Sequence, residues 1–241
     1  VLNVLTVCTG NICRSPLAAL TLSARTDDVE VHFASSGTRA RDGAPMTEEA
    51  IDLAVERGVP SAVAHGHRAR LLTPTHLQNV DLVVAMTREH RRAVVEMDPS
   101  RLRMTFTARE LVRTIGGVDD HALAAIAAVG DEETDPQRAR FAAMVAGLRA
   151  RRGLAASPAA PADDDVVDPY GRSVATYRES AVQLDPGLEV VERLVRLAVG
   201  APPGATDRSR VDARPGPAVD GGAVSPHAAA IPPTRRGLRR R

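Results

Sequence analysis

Ten residues near the start of the chain, Val7-Cys8-Thr9-Gly10-Asn11-Ile12-Cys13-Arg14-Ser15-Pro16, restrict its fold more than any others. The apolar run Leu2 to Val7 predicts a strand buried on both faces of a parallel sheet. Ser15 and Pro16 read as an N-cap and a first helical residue, so a helix is expected to start directly after the loop. Cys8 and Arg14 enclose five residues, a spacing that suits a loop curled around one tetrahedral dianion. Backbone N–H groups of such a loop form an anion-binding nest, and the forked guanidinium of Arg14 closes the ring. The positive end of the helix favours a thiolate at Cys8, the nucleophilic form of the side chain.

Downstream, helical and strand patterns alternate. Leu17, Leu20, Thr21 and Ala24 mark one face of the first helix, and Val29 to Ala34 predicts a second strand. Pro45 to Arg57 reads as helix stopped by Gly58, and Val80 to Met86 as the next buried strand. Thr87 caps a helix to Met97, and Arg103 to Thr107 is a short last strand before the helical residues Leu111, Val112 and Ile115. Such alternation predicts an α/β fold with a four-stranded, parallel, doubly wound sheet, helices on both faces, and ligand bound beyond the carboxyl ends of the strands. Residues 1–200 are expected to form this domain, with a helical insertion at about 116–165 built on Leu123, Ile126 and Ala127 and on Phe141, Met144, Val145 and Leu148. The insertion is expected to bury one face against its own domain. From Gly187 to Val199 the spacing of Leu188, Val191, Leu194, Val195 and Ala198 predicts a closing helix.

The loop resembles the active-site signature of the low-molecular-weight protein tyrosine phosphatases, with Cys8, Gly10, Asn11, Cys13, Arg14, Ser15 and Pro16 all matching. The likeness continues through Ser35-Ser36-Gly37-Thr38, His67-Arg68-Ala69-Arg70-Leu71-Leu72-Thr73 and Asp81 to Met86. It implies that Cys8 is the nucleophile and that Arg14, with the loop residues Thr9, Gly10, Asn11, Ile12 and Cys13, binds phosphate. It also implies that Ser15 donates to the Cys8 thiolate, while Asn11, Ser35 and His67 hold the loop in shape. In Val167-Asp168-Pro169-Tyr170-Gly171, Asp168 stands where the family carries its general acid, and Tyr170 would flank the substrate ring. The expected activity is hydrolysis of phosphotyrosine through a phosphocysteine intermediate, without metal or cofactor. The implied partner is a phosphotyrosine protein, such as a bacterial tyrosine kinase or a protein of envelope polysaccharide export.

Other readings are narrower. A protein-arginine phosphatase branch shares Thr9 and the Asp-Pro-aromatic-Gly pattern but carries Thr where this chain has Ile12, which has no hydroxyl to position water. Arsenate reduction on this fold uses a further cysteine late in the chain, and none follows Cys13. A phosphate-binding regulator without turnover would not need Asp168. His65 and His67 lack a third ligand, so no metal site is expected, and Asp163 to Asp165 read as solvated charge. Across the loop, Cys13 is placed to trap an oxidised Cys8 as a disulfide.

Composition excludes further classes. All 31 basic residues are Arg, which removes a Walker-type phosphate loop with its Lys, and aromatics at 2% leave no stacking platform for bases. The formal charge of +1 divides into −4 over residues 1–200 and +5 over residues 201–241, so the body is a poor match for nucleic acid. The closing segment holds seven Pro and five Gly and is expected to be a disordered basic tail able to contact acidic partners. Two cysteines, no long apolar window and a loop this close to Val1 point to a cytoplasmic protein with no transmembrane segment.

Overall fold

A computed structural model describes residues 1–130 and 133–200; the expected tail at 201–241 lies outside the described residues. The chain runs β1 (Leu2–Cys8), α1 (Arg14–Arg25), β2 (Val31–Gly37), α2 (Glu48–Glu56), α3 (Ser61–Gly66), β3 (Leu82–Ala85), α4 (Arg88–Met97), β4 (Thr105–Thr107), α5 (Ala108–Ile115), α6 (Asp120–Ala127), α7 (Pro136–Ala150) and α8 (Val174–Val199). All four strands are parallel, in the order β2-β1-β3-β4. The fold is the α/β sheet that strand and helix alternation predicts.

Both faces of the sheet are buried, which is why β1 reads as a nearly continuous apolar run. Leu2 and Val4 pack with Leu82 and Val84 of β3 against α1, α5 and α8. Leu5 and Val7, on the opposite face, pack with Val83, Leu72, Leu77 and Val94 of α4. The period of two along each strand therefore decides which helix a side chain meets.

The structure differs from expectation in several places. Val29 lies outside β2, which instead extends to Gly37 and carries Ser35 and Ser36 to the carboxyl end of the sheet. α1 begins at Arg14, so Ser15 lies inside its first turn; Cys13 occupies the flanking position and makes no side-chain cap. The Ser15 hydroxyl is instead engaged by Cys8 and Asn11 of the loop after β1. Helix α8 starts at Val174, well before Gly187, because Ser173 caps it and Pro186 is accommodated within it. Finally, the acidic run is only partly solvated: Asp164 pairs with Arg113 at 2.8 Å, and Asp165 caps α4 through the Arg88 N–H at 2.7 Å.

Helices α6 and α7 bury Leu123, Phe141, Met144 and Leu148 in the same core as α5 and α8. At the β4 edge, Arg152 pairs with Glu110 at 2.8 Å and lies 3.9 Å over the Phe106 ring. Asp81 holds this region to the first strand by accepting from the Asn3 N–H at 2.8 Å and from Arg138 Nε at 2.7 Å.

The crossing of α5 and α8 is set by Gly187, where an added Cβ would stand 2.6 Å from the Ala108 carbonyl oxygen. Because that neighbour is backbone, Gly187→Ala must push the helices apart. We expect a loss of about 1–3 kcal/mol in unfolding free energy, read from the urea midpoint at constant m-value.

Candidate active site

The loop after β1 is shaped by Asn11. Its φ of +55° lies in the left-handed region, which Asn tolerates better than most residues. The buried Asn11 amide then ties three segments together: Nδ2 donates to Ser15 Oγ at 3.0 Å and to Ser35 Oγ at 2.8 Å, while Oδ1 accepts from the Arg70 N–H at 2.8 Å. His67 Nε2 donates to the Asn11 carbonyl at 2.9 Å, which assigns the proton of that ring to Nε2. Burial, with Arg70 and Arg68 nearby, pushes the His67 pKa down against the opposing pull of this bond. Gly37 is required beside the loop, since a Cβ there would meet the Thr9 carbonyl at 2.5 Å and the Asn11 nitrogen at 2.9 Å.

Cys8 Sγ lies 2.9 Å from Ser15 Oγ and accepts from the Asn11 N–H at 3.2 Å. The sulfur thus has two donors available when it is ionised. Arg14 is almost fully buried; Nη1 donates to the Val166 carbonyl at 3.1 Å, and Nη2 pairs with Asp168 at 2.8 Å. Its Nε has no hydrogen-bond partner. An unpaired buried donor costs about 1–3 kcal/mol, and an anion held in the loop would satisfy it.

Cys8, Thr9, Gly10, Ile12, Cys13, Arg14, Asp168 and Tyr170 line one open cavity of about 280 Å³, together with Arg39, Arg41 and Ala44. Asp168, some 160 residues beyond Cys8, is brought here by its flanks: Val166 N–H donates to the Met86 carbonyl at 2.8 Å, and Ser180 Oγ donates to the Val167 carbonyl at 3.0 Å. Tyr170 stands exposed at the mouth. Asn11, Ser15, Ser35 and His67 lie behind the cavity as the supporting network. Cys13 turns toward α8, with its sulfur 3.6 Å from Thr47 Oγ1 and 3.7 Å from the Tyr177 hydroxyl. Burial pushes its thiol up in pKa. Both cysteines are free thiols.

The family model for low molecular weight phosphotyrosine protein phosphatases matches residues 3–151. The chain belongs to that family. Like its relatives it is a cysteine-dependent phosphatase. It is 36% identical over 115 residues to a protein-arginine-phosphatase of Geobacillus stearothermophilus, a match covering 47% of this chain and 74% of that protein. It is 38% identical over 97 residues to the low molecular weight protein-tyrosine-phosphatase Etp of Escherichia coli K12, covering 40% of this chain and 62% of Etp. Among solved structures, a low molecular weight protein tyrosine phosphatase from T. tengcongensis superposes with a TM-score of 0.53 at 26% identity, over 79% of this chain and 97% of that one.

Sequence reasoning missed one buried member of this phosphatase site. His90, near the start of α4, lies 2.8 Å from Thr9 Oγ1 through Nε2 and 2.8 Å from Thr87 Oγ1 through Nδ1. The only signal was a Thr three residues before a His at a helix start, which is common to many caps. Burial first, then the Arg14 charge, lowers the His90 pKa to about 4, with Asp168 and Asp165 opposing. The ring is therefore neutral at pH 7. Folding excludes its proton, so the stability it permits is fully present above its unfolded pKa near 6.5 and is lost as pH falls through about 4. His90→Asn is expected to flatten the fall in unfolding free energy between those pH values by on the order of 3 kcal/mol, measured by urea titrations across the range.

Proposed function

We propose that this phosphatase hydrolyses phosphotyrosine in proteins through a phosphocysteine intermediate. The Cys8 thiolate, held by the Asn11 N–H and the Ser15 hydroxyl, attacks phosphorus in line with the leaving oxygen. Asn11 Nδ2 donates to Ser15 Oγ, and the single hydroxyl hydrogen of Ser15 then goes to Cys8 Sγ at 2.9 Å in preference to the more distant Ser36 carbonyl at 3.4 Å. Arg14 and the loop amides bind the equatorial oxygens, and the unpaired Nε of Arg14 gains a partner. As the P–O bond to tyrosine breaks, Asp168 transfers its proton to the departing oxygen. Water then attacks phosphorus, Asp168 takes its proton, and the S–P bond breaks to return the Cys8 thiolate and inorganic phosphate.

The observation that carries this reading is the Asp168 carboxyl 2.8 Å from Arg14 in the cavity that holds Cys8. A carboxylate beside an anion-binding arginine opposes phosphate binding by like charge, whereas a carboxylic acid there can donate to a leaving group. A site evolved only to bind phosphate would gain from losing it.

Phosphoarginine is the second reading, supported by the identity to the Geobacillus stearothermophilus protein-arginine-phosphatase. Ile12 favours tyrosine: it lines the cavity with an apolar side chain, beside the exposed Tyr170 ring. In the cell we place the enzyme in the cytoplasm, acting on a tyrosine kinase or an envelope polysaccharide export protein. Among the described residues no helix is long and apolar enough to cross a membrane.

Turnover of phosphotyrosine, phosphoarginine and phosphoserine peptides by the purified protein tests the assignment, with phosphotyrosine expected to lead; a lead for phosphoarginine would select the second reading. Cys8→Ser is expected to abolish turnover while vanadate binding, followed by calorimetry, persists. Asp168→Ala should slow aryl phosphates with poor leaving groups by about 10²–10⁴-fold and those with good ones much less.

A further inference from the structure

We propose that Arg39 and Arg41 form a cationic rim that selects acidic sequence around the phosphorylated residue, so that the preferred substrate is a phosphotyrosine segment flanked by Asp or Glu. This rests on the phosphatase reading and specifies its substrate class.

Placement is the first ground. The segment carrying both arginines is clamped along the catalytic loop: the Thr38 N–H donates to the Cys8 carbonyl and the Arg39 N–H to the Thr9 carbonyl, each at 2.9 Å. Its far end is held by the Gly43 N–H on the Ala69 carbonyl at 2.9 Å and by the Leu71 N–H on Asp42 Oδ1 at 2.6 Å. The two guanidinium groups thus start from a backbone fixed against the nucleophile's own loop, and both line the cavity.

Charge is the second. Many of the chain's arginines are held by carboxylates, as at Arg57, Arg88, Arg113, Arg138, Arg152 and Arg196, and so are not available to a ligand. Arg41 is exposed and makes no ion pair or side-chain hydrogen bond among the described residues. Arg39 has only Glu89, at 3.2 Å with both side chains about three-quarters exposed, a pair that water and salt weaken and a substrate carboxylate can replace. The acidic groups facing the rim are Glu89, Asp42 and Asp168. Asp42 accepts from Leu71 and Asp168 is held by Arg14. A positive surplus remains at the mouth.

Depth decides what that surplus meets. The phosphate would sit on the loop amides and the buried Arg14, below the rim. Exposed guanidinium groups at the mouth reach residues beside the phosphotyrosine. There they attract carboxylates, repel Lys and Arg, and act mainly on encounter and KM.

The test compares the full chain on phosphotyrosine peptides whose flanking residues are acidic, neutral or basic, with a small aryl phosphate as reference. At low salt we expect kcat/KM for the acidic peptide to exceed that for the neutral one by about tenfold, and the advantage to shrink at about 0.5 M salt. Arg39→Ala combined with Arg41→Ala should collapse the acidic-to-neutral ratio toward one, and Arg41→Lys should keep most of it. Glu89→Gln, which frees Arg39, should increase it. No acidic preference in the wild type would overturn the proposal, as would a preference that survives the double substitution, since its source would then lie elsewhere, for example in the basic residues beyond 200. Absence of turnover on the aryl phosphate as well would overturn the phosphatase reading itself.

Discussion

A single buried amide organises this molecule's chemistry. Asn11 accepts the left-handed backbone that turns the loop back on itself, and its side chain and backbone then bond to the start of α1, the end of β2 and the segment at 67–70. Each of those bonds is buried or half-buried, where an unmade partner costs more than a made bond contributes. The loop therefore has one low-energy shape, and that shape aims two donors at Cys8 and leaves a cavity in front of it.

The second half of the chain acts on this loop through Arg14. Its guanidinium spans the gap between the first helix and the segment before α8, holding the Val166 carbonyl with one nitrogen and Asp168 with another. Hydrogen bonds from Val166 to Met86 and from Ser180 to Val167 fix that segment to β3 and α8. The Asp168 carboxyl is thus kept in the cavity that holds Cys8, from which it is far away in sequence. Rigid elements supply that precision, while the Asp168 side chain stays half exposed to solvent.

Neutral and charged partners are divided by depth. Behind the loop the polar groups are neutral: His90, whose pKa is pushed down to about 4, bridges Thr9 and Thr87 without adding a charge beside Arg14. At the mouth the charges are exposed and loosely paired, as at Arg39 and Glu89. Buried charge demands a partner and solvated charge does not, so Arg14 is fixed by Val166 and Asp168 while Arg41 stays in solvent, unpaired among the described residues.

Local chemistry by itself determined the four strands, the loop between β1 and α1, and the identity of the residues around Cys8, because a strand buried on both faces and a Cys-to-Arg spacing of this kind are written in contiguous residues. Asp168 was legible only through the family's pattern, since Asp-Pro-Tyr alone is an ordinary turn. Ser15 was misread as an N-cap because its hydroxyl has two possible partners, and the nearness of Cys8 and Asn11, a tertiary fact, settled which it takes. The apolar spacing of Leu188 to Ala198 shows only the second half of helix α8; its first half is held in place by packing of Tyr177, Ala181 and Leu184 in the core, which outweighs the hydrogen bond lost at Pro186. Arg39 and Arg41 gave no sequence signal and His90 only the spacing of a common helix cap, for their roles depend on which segments the sheet order β2-β1-β3-β4 sets beside the loop. Contacts across such distances are decided by the register and twist of the whole sheet, and no short window of residues encodes them.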